Sequence, residues 1–512
     1  MPDRHFVMNF SRRHFLKVGG GTAALLATVG CDKLPRELTV LYAQQKPVGP
    51  FQPPLTEQID PITHALNRLA FGARPGDYER LAKLASTPEQ AAAAYLEEQL
   101  NPEQIKDEAG ELAVRRFETL RLPLGELFEY QDELLHNELM RGTLARAVFS
   151  ERQLFEVMVQ FWSDHFNIDP SKGDCKWLTV AADREVIRKH ALGKFPDMLR
   201  ASALSPAMLW YLDGRVNRRA NMSEKPNENY ARELLELHTL GVHGGYSQWD
   251  VMEVARCLTG WTVRSTNQKP YFQIGKVEFK PQLHDVEAKE VLGQHIPALP
   301  SHASPEERER LGREELDQVL RIVMAHPATA KHISTKLCQR FIADEPPASA
   351  IETVAAEFAR TDGDVRATLR VLFATEEFRQ QRGNKFKRPF NFIVSALRTT
   401  GASTDSGLEI IGYLNRMGHA PFSYPTPDGY PEPAGPWMGT LLWRWNFALA
   451  LSENKIKGTK MDFATLQKCS GGDAGLMAHL LGRKALAEEV EAYNESGAGL
   501  ALLLAAPAFQ RC

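Results

Sequence analysis

The sequence is short of the marks that usually announce a function. It has six Cys in 512 residues, and no two of them are spaced C-x-x-C. That excludes a disulfide scaffold and the usual cysteine zinc sites. H-E-x-x-H, G-x-S-x-G, the P-loop and G-x-G-x-x-G are all absent. Their absence weakens zinc-protease, serine-hydrolase, nucleotide-hydrolase and dinucleotide-dehydrogenase readings. There is no excess of charge of one sign: 61 Lys+Arg stand against 64 Asp+Glu, a net charge of −3. Nothing there calls for a nucleic-acid partner. The apolar segment Val18–Gly30 is too short and too rich in Gly to span a bilayer. With 43% hydrophobic and 24% charged residues, wholesale disorder and a multi-span membrane protein are both excluded.

What is present begins at the N-terminus. Ser11-Arg12-Arg13-His14-Phe15-Leu16-Lys17 followed by Val18–Gly30 reads as a twin-arginine export signal, residues 1–30. Leu26-Ala27-Thr28-Val29-Gly30-Cys31 resembles a lipoprotein processing box, with Cys31 as the lipid acceptor. Simple cleavage nearby is the alternative. The expected location is periplasmic or exported, with an inner-membrane lipid anchor if Cys31 is modified. The twin-arginine route carries folded proteins, which raises the expectation of a bound cofactor. Cys257 and Cys338 fall in helical apolar patterns and read as buried thiols.

Residues 31–61, rich in Pro and Gln, read as a tether. Residues 62–512 read as one large, mainly α domain. Thr87-Pro88 caps a helix over 88–100, and long amphipathic helices are expected over 111–141 and 143–166. Further helices are expected over 305–325, 327–342, 348–360, 365–374 and 386–400. A small β-hairpin is expected near 271–280, around Gly275. Residues 420–436 carry five Pro and three aromatics within 14 residues, so a long ordered loop packed on the body is expected.

Three clusters could carry chemistry. In Pro226–Gly241, a helix ended by Gly241, Asn229, Glu233 and Glu236 share one face. Glu228, Arg232 and Glu236 form a second stripe of alternating sign. Two carboxylates a turn apart can bind a metal or act as acid and base; ordinary surface ion pairing is the alternative. Asp164 and His165 end an aromatic helix, where a His is also favoured by the helix dipole. His284-Asp285 follows the expected hairpin, on a loop where functional side chains are accessible.

The order of these segments resembles the bacterial domain of unknown function 1800 family. The resemblance rests on Leu66-Asn67-Arg68-Leu69-Ala70-Phe71-Gly72, Phe161-Trp162-Ser163-Asp164-His165-Phe166, and Asn227 to Gly241 with Ala255-Arg256-Cys257-Leu258-Thr259-Gly260-Trp261. It continues through His284-Asp285, Lys289 and Leu292-Gly293 to Lys387-Arg388-Pro389 and the Pro-rich loop before Trp437. The loop is longer here than the family's pattern. The resemblance implies an exported, largely helical protein. It also implies an envelope partner similar to the domain of unknown function 1501 family, which is alkaline-phosphatase-like. It supplies no catalytic residue.

Two functions follow as expectations. The first is a hydrolase-like envelope enzyme acting on a glycan, lipid or peptide. Its acid/base residues would come from His165, Glu228, Glu233, Glu236, His284 and Asp285, with His165, Glu233 and His284 as ligands of a divalent transition metal. The second is a non-catalytic scaffold or assembly partner of an alkaline-phosphatase-like protein.

Overall fold

The computed structural model describes residues 48–265 and 273–512. The expected signal segment, Cys31 and the first half of the tether lie outside the described residues, as do Tyr271 and Phe272. The described chain is mainly α, with three two-stranded antiparallel sheets. No helix in it is long and apolar enough to cross a membrane.

Helix starts are set by local caps. The Asp60 carboxylate accepts from the Thr63 amide at 2.8 Å, with Pro61 opening Pro61–Arg68. Thr87 caps Pro88–Leu100, and Ser304 caps Pro305–Ala325. These devices satisfy amides that have no partner inside the helix. The helices over 305–325, 327–341, 348–360 and 365–374 fall where expected. The stretch 111–141 does not form one helix. It breaks into Glu108–Val114, Glu118–Arg121 and Leu124–Leu127, with Pro123 between the last two, before Asp132–Phe149 begins. Ser150 to Arg152 then separate Asp132–Phe149 from Gln153–His165.

Residues 48–60 lie on the body rather than standing off it. The Phe51 ring is buried and meets the His479 ring edge-on at 4.8 Å, and the Phe51 amide donates to the Cys469 carbonyl. A strand does form at Val277–Phe279, but its partner is Trp261–Val263, with Trp261 opposite Phe279. That aromatic cross-strand pair, with ring centroids 5.0 Å apart, sets the register. Lys289–Val291 and Gln294–Ile296 form a tighter hairpin across Leu292 and Gly293, both at positive φ. Cys257 and Cys338 are buried free thiols.

The Pro-rich loop is ordered, and the reason lies in its carbonyls. Proline donates no hydrogen bond, but its C=O still needs a partner when buried. The Asn167 side-chain amide donates to the carbonyls of Tyr424 and Thr426 at 2.9 and 2.8 Å. The Tyr211 hydroxyl donates to the Pro425 carbonyl, Tyr430 to Ala420, and the Trp437 indole to Pro431. The His419 ring stacks on Trp437 and meets Tyr430 edge-on. Gly429, at φ +72, lets the loop backbone lie directly on the Asp164 carbonyl; a Cβ there would overlap that oxygen.

Gly429→Ala is therefore expected to lower unfolding free energy by about 2–4 kcal/mol. Urea denaturation checks this, and Gly435→Ala, whose Cβ would meet nothing within 4 Å, is the control expected to be near neutral.

Candidate functional site

The loop closes over a buried ion network built by four elements. Gln153–His165 contributes Gln160 and Asp164. Pro327–Phe341 contributes His332, Lys336 and Arg340, spaced by four and so on one helix face. Arg388 caps Pro389–Thr399, and the loop contributes Asp428 and Glu432. Arg388 Nη1 lies 2.8 Å from Asp164 Oδ2 and 3.4 Å from Glu432 Oε1. Arg340 Nη1 is 3.6 Å from Glu432 Oε1, and its Nη2 donates to the Gln160 side chain. Lys385 pairs with Asp344 at 2.8 Å and reaches Glu432 at 3.8 Å. Burial alone would raise the Glu432 carboxyl, but Arg388, Arg340 and Lys385 outweigh it and hold it at about 2. For Asp164 burial wins over Arg388, and its carboxyl is pushed above the usual range.

Lys336 differs from its neighbours. It is only partly exposed, yet it makes no ion pair or hydrogen bond among the described residues. Burial pushes its ammonium down to about 8, against the opposing pull of Asp164, Glu432 and Asp428. Exposed Asp428 also acts on Glu233 and on the Tyr211 hydroxyl. Glu233 is raised by burial and then by Glu236, with Asp428 adding to the shift. Asp428 thus acts electrostatically on both Lys336 and Glu233.

Near Lys336 sit three histidines. The helix that begins Asn229–Glu233 continues as a π-helical turn, Leu234–Thr239, where the Thr239 hydroxyl donates to the Leu234 carbonyl at 2.6 Å. Such turns recur at functional sites. This one places Glu233 at the cleft and His238 in the core. His165 Nε2 donates to the His238 carbonyl at 3.2 Å, and His332 Nε2 to the Leu237 carbonyl at 3.1 Å. The His165 ring is 6.1 Å from His238 and 6.4 Å from His332. Neither nitrogen of the buried His238 ring has a partner. Burial, then Lys336, lowers all three, His238 to about 3 and His332 to about 4.

The other expected site residues go elsewhere. Glu228 accepts from Arg232 and from the Gln248 amide on the helix surface, and Glu236 accepts from the Tyr246 hydroxyl. His284 Nδ1 donates to the Thr259 carbonyl at 2.9 Å, and its Nε2 lies 3.4 Å from Glu315. Asp285 is locked between Arg219 and Arg256. Lys289, 2% exposed, pairs with Glu315 at 2.8 Å. The His-Asp-x-x-x-Lys element is therefore a buried tie between the hairpin region and Pro305–Ala325. His165 and His284 share no contact. Among the described residues no three His, Cys, Asp or Glu side chains are grouped to hold a metal ion. The expected donor set His165, Glu233 and His284 is not assembled: His165 packs against Phe195, His238 and His332, and His284 against Thr259, Phe279 and Glu315. Sequence reasoning missed Lys336, Arg340, Asp428 and Glu432. The four-residue spacing of His332, Lys336 and Arg340 was the visible signal for the first two.

A mainly α body holding a buried ion network under an ordered Pro-rich loop is the class these observations define. The chain belongs to the family described as Protein of unknown function (DUF1800), which matches residues 64–511. No curated protein and no solved structure matches the chain.

The three histidines make the fold acid-sensitive. Their folded pKa values lie below the unfolded value near 6.5, so the fold accommodates them neutral. Stability is full above pH 6.5 and is lost as pH falls from there toward 4. His238→Leu is expected to lose about 1–3 kcal/mol less than wild type between pH 7 and 4.5, read from urea midpoints across that range.

Proposed function

We propose that this protein is an exported cell-envelope enzyme of hydrolase-like chemistry, acting on a glycan, lipid or peptide at the cleft beneath the Pro-rich loop. The observation that carries the reading is Lys336, a partly buried cation with no ion pair among the described residues, under the electrostatic influence of Asp164, Glu432 and Asp428. An amine held near pH 8 has a deprotonated fraction at neutral pH, and can take the proton from an attacking water. Glu233, raised by burial and by the Glu236 charge, is the candidate acid for the leaving group. Asp428, whose charge acts on both, would orient the polar substrate or water. Arg388, Arg340 and Glu432 hold the frame.

A second reading, a scaffold for an alkaline-phosphatase-like envelope protein, is favoured by one feature. Met438, Leu441 and Leu442 are 51%, 49% and 65% exposed just beyond the loop, and exposed apolar clusters mark interaction sites.

The test is turnover of envelope glycan, lipid and peptide fractions. Lys336→Met and Glu233→Gln are each expected to lower kcat by about 10²–10⁴-fold, with the thermal midpoint unchanged or raised. The alkaline shift in the pH profile near 8 should vanish with Lys336→Met. Full turnover in Lys336→Met overturns the enzymatic reading. Stoichiometric co-purification of a partner, lost in Leu442→Glu and kept in Lys336→Met, supports the scaffold.

A further inference from the structure

Far along the chain from the loop, and sharing no residue with its cleft, the N-terminal helices leave an apolar slot. Pro61–Arg68 and Pro88–Leu100 form one side, and Val365–Ala374 with Glu376–Gln380 the other. The slot has a volume of about 560 Å³ and is faced by Leu69, Ala92, Leu96, Phe373 and Phe378. That is within the range of small-molecule sites, which pair an apolar lining with a few polar groups. His64 belongs to the same wall. Its Nε2 donates to the Phe378 carbonyl at 2.9 Å, and its buried Nδ1 has no partner.

The polar groups of the slot are not balanced. Glu97 is taken by a two-point contact with Arg370, at 2.7 and 2.9 Å. Arg379 reaches Glu376 at 3.2 Å on the exposed side. Arg382 has no carboxylate: it donates to the carbonyls of Arg379 at 2.9 Å and Ile59 at 3.4 Å. Arg379 and Arg382 also line a larger groove of about 890 Å³, floored by Leu481, Leu502 and Leu503. There Arg511 likewise donates only to a carbonyl, that of Asn384. Of the remaining acidic groups, Glu489 is taken by Arg483 at 2.8 Å and Glu57 by Lys484 at 3.0 Å, and Glu89 and Glu488 are exposed. The apolar slot thus opens onto two guanidinium groups, Arg382 and Arg511, that pair with no side-chain carboxylate among the described residues. Arginine's planar fork suits a carboxylate or a phosphate.

We propose that this slot binds one monomeric anionic single-chain amphiphile, a long-chain carboxylate or alkyl phosphate. Its apolar chain lies among Leu69, Leu96, Phe373 and Phe378, and its head sits on Arg382.

The mature full-length protein is titrated with dodecanoate, dodecyl phosphate and dodecyltrimethylammonium below their micellar concentrations, by calorimetry. The expected result is saturable binding of the two anions at one per chain, with the cation at least about tenfold weaker. Arg382→Glu is expected to weaken the anions about tenfold and not the cation. Ala92→Trp, at a partly exposed position whose new ring fills the slot, should abolish binding of all three while leaving the thermal midpoint unchanged. Equal affinity for anion and cation overturns the proposal, as does binding that survives Ala92→Trp. Binding seen only on phosphatidylglycerol vesicles, and not with the monomers, overturns it as well.

Discussion

Arg388 is 1% exposed and sits where three segments meet. A buried guanidinium left unmatched costs several kcal/mol, so its surroundings have to bring carboxylates to it. Asp164 comes from the end of a helix, and Glu432 from a loop that has few backbone donors of its own. To deliver Glu432, the loop must lie flat on that helix end, and Gly429 makes the close approach sterically feasible. Once the loop is down, its buried carbonyls need donors, and Asn167 and Tyr211 supply them. Glu432 also draws in Arg340 and Lys385. The pairing of these groups leaves Lys336 without a hydrogen-bonded partner, and that one residue gives the cleft its chemical character.

Buried ion pairs recur elsewhere with a different consequence. Asp285 between Arg219 and Arg256, Lys289 with Glu315, and Arg188 with Glu156 and Asp183 are each closed sets. Each charge there faces an opposite one inside the body, so these groups tie elements together. Breaking such a pair is costly even where the pair itself adds little net stability. Residues that look catalytic by type are here distinguished by what answers their charge. His284 and Asp285 are answered; Lys336 is not.

Much of the helical layout was legible from caps and periodicity, because those signals are local. Thr87-Pro88 and Gly241 each act within a turn of their own position. The breaks after Val114 and at Ser150 were not legible, since the amphipathic pattern runs through them and packing decides where the chain bends. The strand at Val277–Phe279 was legible, but its partner Trp261–Val263 was not, because strand pairing is non-local. At the cleft, Glu233 and the Asp164–His165 helix end stood out in the sequence. His284 stood out equally and is structural.

The sequence by itself determined a mainly α chain, the ordered Pro-rich loop and the family, since composition, local propensity and motif order are properties of the chain alone. Tertiary structure decided which ionisable groups meet. The pairing of Arg388 with Asp164 and Glu432 spans more than two hundred residues on one side. The unpaired state of Lys336 exists only because other cations reach those carboxylates first. Whether a charge is compensated depends on all the groups around it in space, and a single sequence holds no record of those distances.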